Sequence, residues 1–159
     1  MPELPEVEVV SRGVSEAFAG RRLTRVVRRC ERLRWPVPAG LEAQILAGPV
    51  LRQVLRRGKY LLLGFDAGTL LLHLGMSGSL LHLPAGAPPQ KHDHLDLVFG
   101  DRLLRLHDPR RFGAALWCSD DVTTTMATHP LLVHLGVEPF SAAFTARHLY
   151  EASRGRTVA

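Results

Sequence analysis

The chain predicts a mainly β (α+β) domain, a sandwich or barrel of about eight short strands carrying an N-terminal helix. Three observations lead there. One helical stripe opens the chain, short apolar runs punctuated by glycine or aspartate fill its middle, and nothing repeats along it. Val7, Val10, Val14 and Phe18 recur at spacings of three or four, the signature of a buried helix face over 5–18. Pro5 suits the first helical position, and Glu6 and Glu8 suit the positive end of the helix dipole. Residues 22–29 are rich in β-branched and charged side chains and read as a strand. Two prolines and a glycine break residues 33–40, and residues 41–47 form a short second helix stopped by Gly48-Pro49.

The pattern then turns to strands: 50–55, 60–65, 69–74 and 79–83, with Asp66-Ala67-Gly68 as a tight hairpin turn. Residues 84–91, with three prolines and a glycine, read as a surface loop. Strands at 95–99 and 102–107 flank Gly100-Asp101 as another hairpin, and 112–118 is a further strand. Residues 119–130 are polar and threonine-rich and read as loop; a helix is expected over 145–153.

A chain of 159 residues can bury one core, and 46% hydrophobic with 22% charged residues is ordinary for a globular protein. No apolar run approaches the roughly 18 residues of a membrane span. The acidic start lacks the layout of a secretory signal, so no membrane role and a cytoplasmic location are expected. Cys30 and Cys118 are too few for a disulfide framework or a four-cysteine zinc site, and both read as buried free thiols.

The net charge of +5 favours a polyanionic partner without separating DNA, RNA and acidic lipid. Arginines fall in three runs, at 21–34, at 52–57 and at 102–111. Solvated strand faces would explain many of them, but several basic clusters in one small domain favour a phosphate-tracking surface. Lys59 and Lys91 are the only lysines. Arginine stays protonated, whereas a lysine can be tuned to give and regain a proton. Lys59 follows Arg56-Arg57-Gly58 and stands at the edge of an apolar strand, where it has either a catalytic role or that of a strand-start charge.

The richest chemistry lies at the start, Met1-Pro2-Glu3-Leu4-Pro5-Glu6-Val7-Glu8. Once Met1 is removed, Pro2 presents a free secondary amine that can attack an aldehyde carbon and form an iminium ion. An α-amino group has a pKa of about 7.7–8.0, so part of it is uncharged at neutral pH. Glu3 is placed to move protons beside it.

This opening resembles the N-terminus of formamidopyrimidine-DNA glycosylases, the bacterial enzymes that excise oxidised purines. The likeness continues through Leu33-Arg34-Trp35-Pro36-Val37, Gly58-Lys59-Tyr60-Leu61-Leu62-Leu63 and His73-Leu74-Gly75-Met76-Ser77-Gly78-Ser79-Leu80. It ends with Lys91-His92-Asp93-His94 and Asp108-Pro109-Arg110-Arg111-Phe112-Gly113-Ala114. The resemblance implies the sandwich, two antiparallel sheets flanked by the N-terminal helix and the second short helix. It implies Pro2 as the nucleophile at sugar C1′, Glu3 as the acid/base partner in ring opening, and Lys59 as a second proton donor. The imine then permits β- and δ-elimination.

Met76, Arg110 and Phe112 match residues that fill the gap left by a flipped-out nucleotide. Their spacing alone places Met76 and Phe112 in the core. His92 and His94 could share a strand face, but no third metal ligand follows at familiar spacing. The resemblance instead gives His92 and Arg110 contacts to the phosphate backbone. His73 and His107 lie in apolar strands and read as satisfied core histidines. Arg154 and Arg156 fall, in a looser match, where the family has a basic DNA contact.

The resemblance divides the chain into a catalytic sandwich over 1–135 and, over 136–159, a linker with the start of a helical DNA-binding part. Family members continue into a helix–two-turn–helix module and a four-cysteine zinc finger. One structural zinc is thus expected in that finger and no cofactor in residues 1–159. The implied partner is damaged double-stranded DNA, bound by a monomer, with weak binding expected of this part alone. Two alternatives remain: an endonuclease VIII-type enzyme for oxidised pyrimidines, and a non-catalytic DNA-binding fragment. Leu4 with Met76, Arg110 and Phe112 weighs against the first, and retention of Pro2, Glu3 and Lys59 against the second.

Overall fold

In the computed structural model, residues 3–133 and 135 are described. Eight strands form two antiparallel four-stranded sheets, the sandwich the resemblance implies. Chain order is α1 (Leu4–Phe18), β1 (Arg25–Arg28), α2 (Leu41–Leu46), β2 (Leu51–Arg57), β3 (Tyr60–Phe65), β4 (Gly68–His73) and β5 (Ser79–Pro84). It continues with β6 (Asp93–Phe99), β7 (Arg102–His107), β8 (Ala114–Cys118) and α3 (Val122–Thr128). One sheet has the order β1-β6-β7-β5, the other β2-β3-β4-β8.

Period-two alternation decides which face each leucine serves. In β3, Leu61 and Leu63 point into the main core with Leu70 and Leu72 of β4, where Leu97, Leu104 and Leu106 of the other sheet join them. Leu62 and Leu71 are paired across the same strands and face the other way. They form a second cluster with Val122 and Leu132. Val7, Val14 and Phe18 bring α1 into the main core. Each such leucine removed from water contributes about 1.5–3 kcal/mol before the entropy of ordering it.

That second cluster explains a departure from expectation. Residues 119–130 contain α3 rather than only loop. Threonine is a poor helix former, so local propensity hides the element. Asp121 caps it by accepting the Thr124 N–H at 2.8 Å, while Val122 and Thr125 are buried. Burial against the outer face of β3 and β4 overrides propensity. A Cβ on Gly64 would lie 2.5 Å from Val122 Cγ2, so α3 sits almost on the β3 backbone.

Three other expectations shift. Cys30 is buried, but Cys118 is only half-buried. Phe112 lies before β8 begins, in a loop. Many arginines belong to architecture rather than to an open basic surface. Arg105 is buried and forks onto Asp96 at 2.8 and 3.0 Å. It also donates to the carbonyls of Ala87 and Pro88, which fastens loop 84–91 to the sheet. Arg29 reaches Asp96 at 2.6 Å, Arg28 pairs with Glu42 and Arg52 with Asp66.

Among the described residues no helix is long and apolar enough to cross a membrane. The expected helix over 145–153, the segment 136–159, and Pro2, Arg154 and Arg156 lie outside the described residues.

Candidate functional site

Glu3 is the N-cap of α1, with its own N–H donating to Glu6 Oε2 at 2.8 Å. Its carboxylate is exposed and stands 3.1 Å from Lys59 Nζ. Lys59 sits in the tight turn between β2 and β3, where Gly58 takes a φ of 60° that a side chain would resist. The buried Arg56 ties the two elements together. Its guanidinium pairs with Glu8 on α1 and donates to the Gly58 carbonyl at 2.8 Å. The start of α1 and the Lys59 turn are thereby held as one unit, beside the position of Pro2 in sequence.

Tyr60 and His73 face each other across β3 and β4, with ring centroids 4.6 Å apart. His73 is half-buried rather than core. Its Nδ1 accepts the Gly75 N–H at 2.9 Å. Burial first, then the cations of Arg34 and Lys59, push its pKa below the ordinary imidazole value, which favours the uncharged ring.

Met76 lies in the β4–β5 turn and Phe112 in the β7–β8 loop. They are 42% and 43% exposed, against the core placement that spacing suggests. Neither belongs to a strand, so period-two burial does not reach them. The two loops touch backbone to backbone. Gly75 has φ 62°, and a Cβ there would lie 2.5 Å from the Phe112 carbonyl carbon. A Cβ on Gly113 would lie 2.4 Å from the His73 carbonyl oxygen. The guanidinium of Arg110 stacks over the Phe112 ring at 4.9 Å. Leu33, Arg34, Arg111 and Phe112 line an open hollow of about 430 Å³ beside it. No described carboxylate pairs with Arg34, Arg110 or Arg111.

His92 is half-buried at the end of the β5–β6 loop with φ 71°. His94 is committed elsewhere, its Nε2 lying 2.8 Å from the Asp108 carbonyl. No group of three potential ligands that could hold a metal occurs among the described residues.

Glu3 and Lys59 are thus brought together, and the turn of Met76 lies against the loop of Arg110 and Phe112. Ser77, Arg34 and His73 also enter this surface, and the buried Asp108 lies beneath it. Ser77, Asp108, Arg34 and His73 stand inside the motif blocks, but nothing in sequence spacing says that they meet.

The sequence pattern of the formamidopyrimidine-DNA glycosylase N-terminal domain matches residues 1–115. The chain belongs to the formamidopyrimidine-DNA glycosylase family. The glycosylase of Bordetella pertussis is 54% identical over 159 residues, covering all of this chain and 57% of the relative. That of Burkholderia multivorans is 57% identical over 160 residues, covering 99% of this chain and 58% of the relative. The chain therefore spans a little over half the length of these formamidopyrimidine-DNA glycosylases.

Solved structures agree. Lactococcus lactis Fpg in complex with an abasic-site-containing DNA superposes with a TM-score of 0.68 at 32% identity, over 74% of this chain and 44% of that one. MutM in complex with carbocyclic 8-oxo-G-containing DNA gives 0.70 at 32%, over 79% and 47%.

Proposed function

We propose that this chain is the catalytic part of a bifunctional DNA glycosylase/AP lyase of base-excision repair, acting on oxidised purines such as 8-oxoguanine and formamidopyrimidines in double-stranded DNA. Residues 1–135 form the catalytic sandwich, and 136–159 lead into a helical DNA-binding part that contributes Arg154 and Arg156. The observation that carries the reading is the 3.1 Å contact between Lys59 and Glu3. One of only two lysines in the chain meets the carboxylate next to Pro2.

The chemistry follows from these groups. The uncharged amine of Pro2 attacks C1′, the C1′–base bond breaks, and the base leaves with a proton. Glu3 takes up the proton that the Pro2 nitrogen sheds on bonding to C1′ and delivers it to the ring oxygen as the sugar opens, and the iminium ion forms on Pro2. The iminium withdraws electrons, so loss of the C2′ proton expels the 3′ phosphate, and a second elimination expels the 5′ phosphate. Lys59, ion-paired to Glu3, shuttles protons in these steps. Met76, Arg110 and Phe112 fill the vacated stack and partly offset the few kcal/mol that flipping costs. His92 and Arg110 hold the phosphate backbone.

The zinc expected of the family is assigned to a finger outside these residues. The described histidines, cysteines and carboxylates do not fit one, and no step runs through a metal.

Incubation with an abasic-site oligonucleotide followed by borohydride reduction tests the reading. A covalent adduct that disappears in Pro2→Gly is expected. No adduct from protein shown by mass spectrometry to lack Met1 overturns it.

A further inference from the structure

We infer that Asp108 is the positioning residue that fixes the DNA-facing loops relative to one another, so that the wedge side chains enter a duplex as one unit. The inference rests on the proposed glycosylase reading. Asp108 follows β7 and is completely buried. Its carboxylate accepts from Ser77 Oγ at 2.9 Å on one oxygen and from the Gly113 N–H at 2.8 Å on the other. Ser77 Oγ in turn accepts the Arg110 N–H at 3.2 Å.

The Asp108 backbone is equally engaged. Its N–H donates to the His92 carbonyl at 3.0 Å, and its carbonyl meets His94 Nε2 at 2.8 Å and the Arg111 N–H at 3.3 Å. One residue therefore ties the Met76 turn, the His92 turn and the Arg110–Phe112 loop. Each of these loops carries a backbone in the left-handed region, at Gly75, His92 and Arg111. At His92 and Arg111, which are not glycine, such a conformation persists only where surrounding bonds hold it.

A carboxylate suits the position because two donors converge on it and no donor is required in return. In Asp108→Asn one of those donors faces an amide N–H or must turn away. The tie between the Met76 turn and the Arg110 loop then slackens, while Glu3 and Lys59 lose no partner.

The test separates wedge placement from imine chemistry. A duplex carries a stable abasic-site analogue with 2-aminopurine opposite, whose fluorescence rises when the stack is opened and filled. A single-stranded abasic oligonucleotide, trapped with borohydride, reports the imine alone. Asp108→Asn is expected to weaken the duplex response about tenfold and to leave single-strand trapping unchanged. Ser77→Ala, which keeps the carboxylate and removes one tie, is expected to change the same response in the same direction by less.

An undiminished duplex response in both variants overturns the proposal, as do equal losses in the two assays. If Asp108→Asn shows no cooperative thermal unfolding, Ser77→Ala decides alone at unchanged Tm: a weakened response supports the proposal and an undiminished one overturns it. If the unsubstituted protein opens the duplex but traps no adduct, the glycosylase reading fails while the positioning role is still read from the fluorescence.

Discussion

Two groups of arginines share one chain and differ in what answers their charge. In the sheet of β1, β6, β7 and β5, Arg105 and Arg29 converge on the buried Asp96, and Asp93 accepts from His107 and lies 3.7 Å from Arg105. Around the loops after β4 and β7, the guanidinium groups of Arg34, Arg110 and Arg111 meet aromatic rings and carbonyls, and no described carboxylate forms an ion pair with them. Guanidinium groups buried among carboxylates are structural, because removing one partner strands the other in a low dielectric. Guanidinium groups left facing solvent keep their charge available for a phosphate. The +5 net charge counts both groups alike, so it overstates the basic surface the fold presents.

Breaking the buried group should have the largest effect. Arg105→Ala is expected to cost about 3–5 kcal/mol of stability, read from urea unfolding, because Asp96 loses its fork and Asp93 its ion pair. A loss no larger than at a surface site would erase the distinction between the two groups.

Acid sharpens the same point. Burial alone would raise Asp96, but hydrogen bonds from Arg105 and then Arg29 outweigh it and hold the carboxyl below its usual range. Asp93 is lowered likewise against burial, by the Gln90 N–H, then His107 and Arg105. Groups depressed on folding stabilise the protein fully above the unfolded carboxylate value of about 3.9 and lose that contribution as pH falls through their lower folded values. Unfolding midpoints should therefore fall steeply below about pH 4, and Arg105→Ala should flatten that slope. An equally steep slope in the variant would assign acid sensitivity to other groups.

The exposed cations should respond in activity rather than stability. Lys59→Ala is expected to lower lesion excision by about 10²-fold or more, with Tm nearly unchanged since the lysine is partly exposed. Excision at the unsubstituted rate would return Lys59 to a strand-start charge. Arg110→Ala should weaken duplex binding and lower the slope of log K against log salt by about one. A slope unaltered by the change would remove Arg110 from the phosphate contacts. Arg52→Ala, in an exposed pair with Asp66, should alter neither the unfolding midpoint nor binding detectably. A clear shift in either would show that exposure is a poor guide to which arginines matter.

Much of the fold is legible in the sequence. Hairpin turns at Asp66-Ala67 and Gly100-Asp101, the Val7–Val14–Phe18 stripe and the short apolar runs are local signals, and the strands they mark are present within a few residues. Helix α3 was not legible, because its threonines argue against helix and only the outer face of β3 and β4 argues for it. His73 looked like a core residue for a similar reason. Its strand is apolar, but it ends at the rim, where Gly75 turns the chain away.

The candidate site divides in the same way. Glu3, Lys59, Met76, His92, Arg110 and Phe112 stand in motif blocks that a reader can find one by one. Their grouping depends on contacts between residues far apart in sequence: Arg56 with Glu8, Ser77 with Asp108, Gly75 against Phe112. By itself the sequence determined most of the elements and the residue types available for chemistry, because those rest on periodicity and local spacing, and its motif blocks carried the family. Only the tertiary structure decided which arginines are neutralised, which loops touch and which carboxylate lies beside Lys59. Those outcomes depend on burial and on hydrogen bonds that exist only once the two sheets have closed on one another.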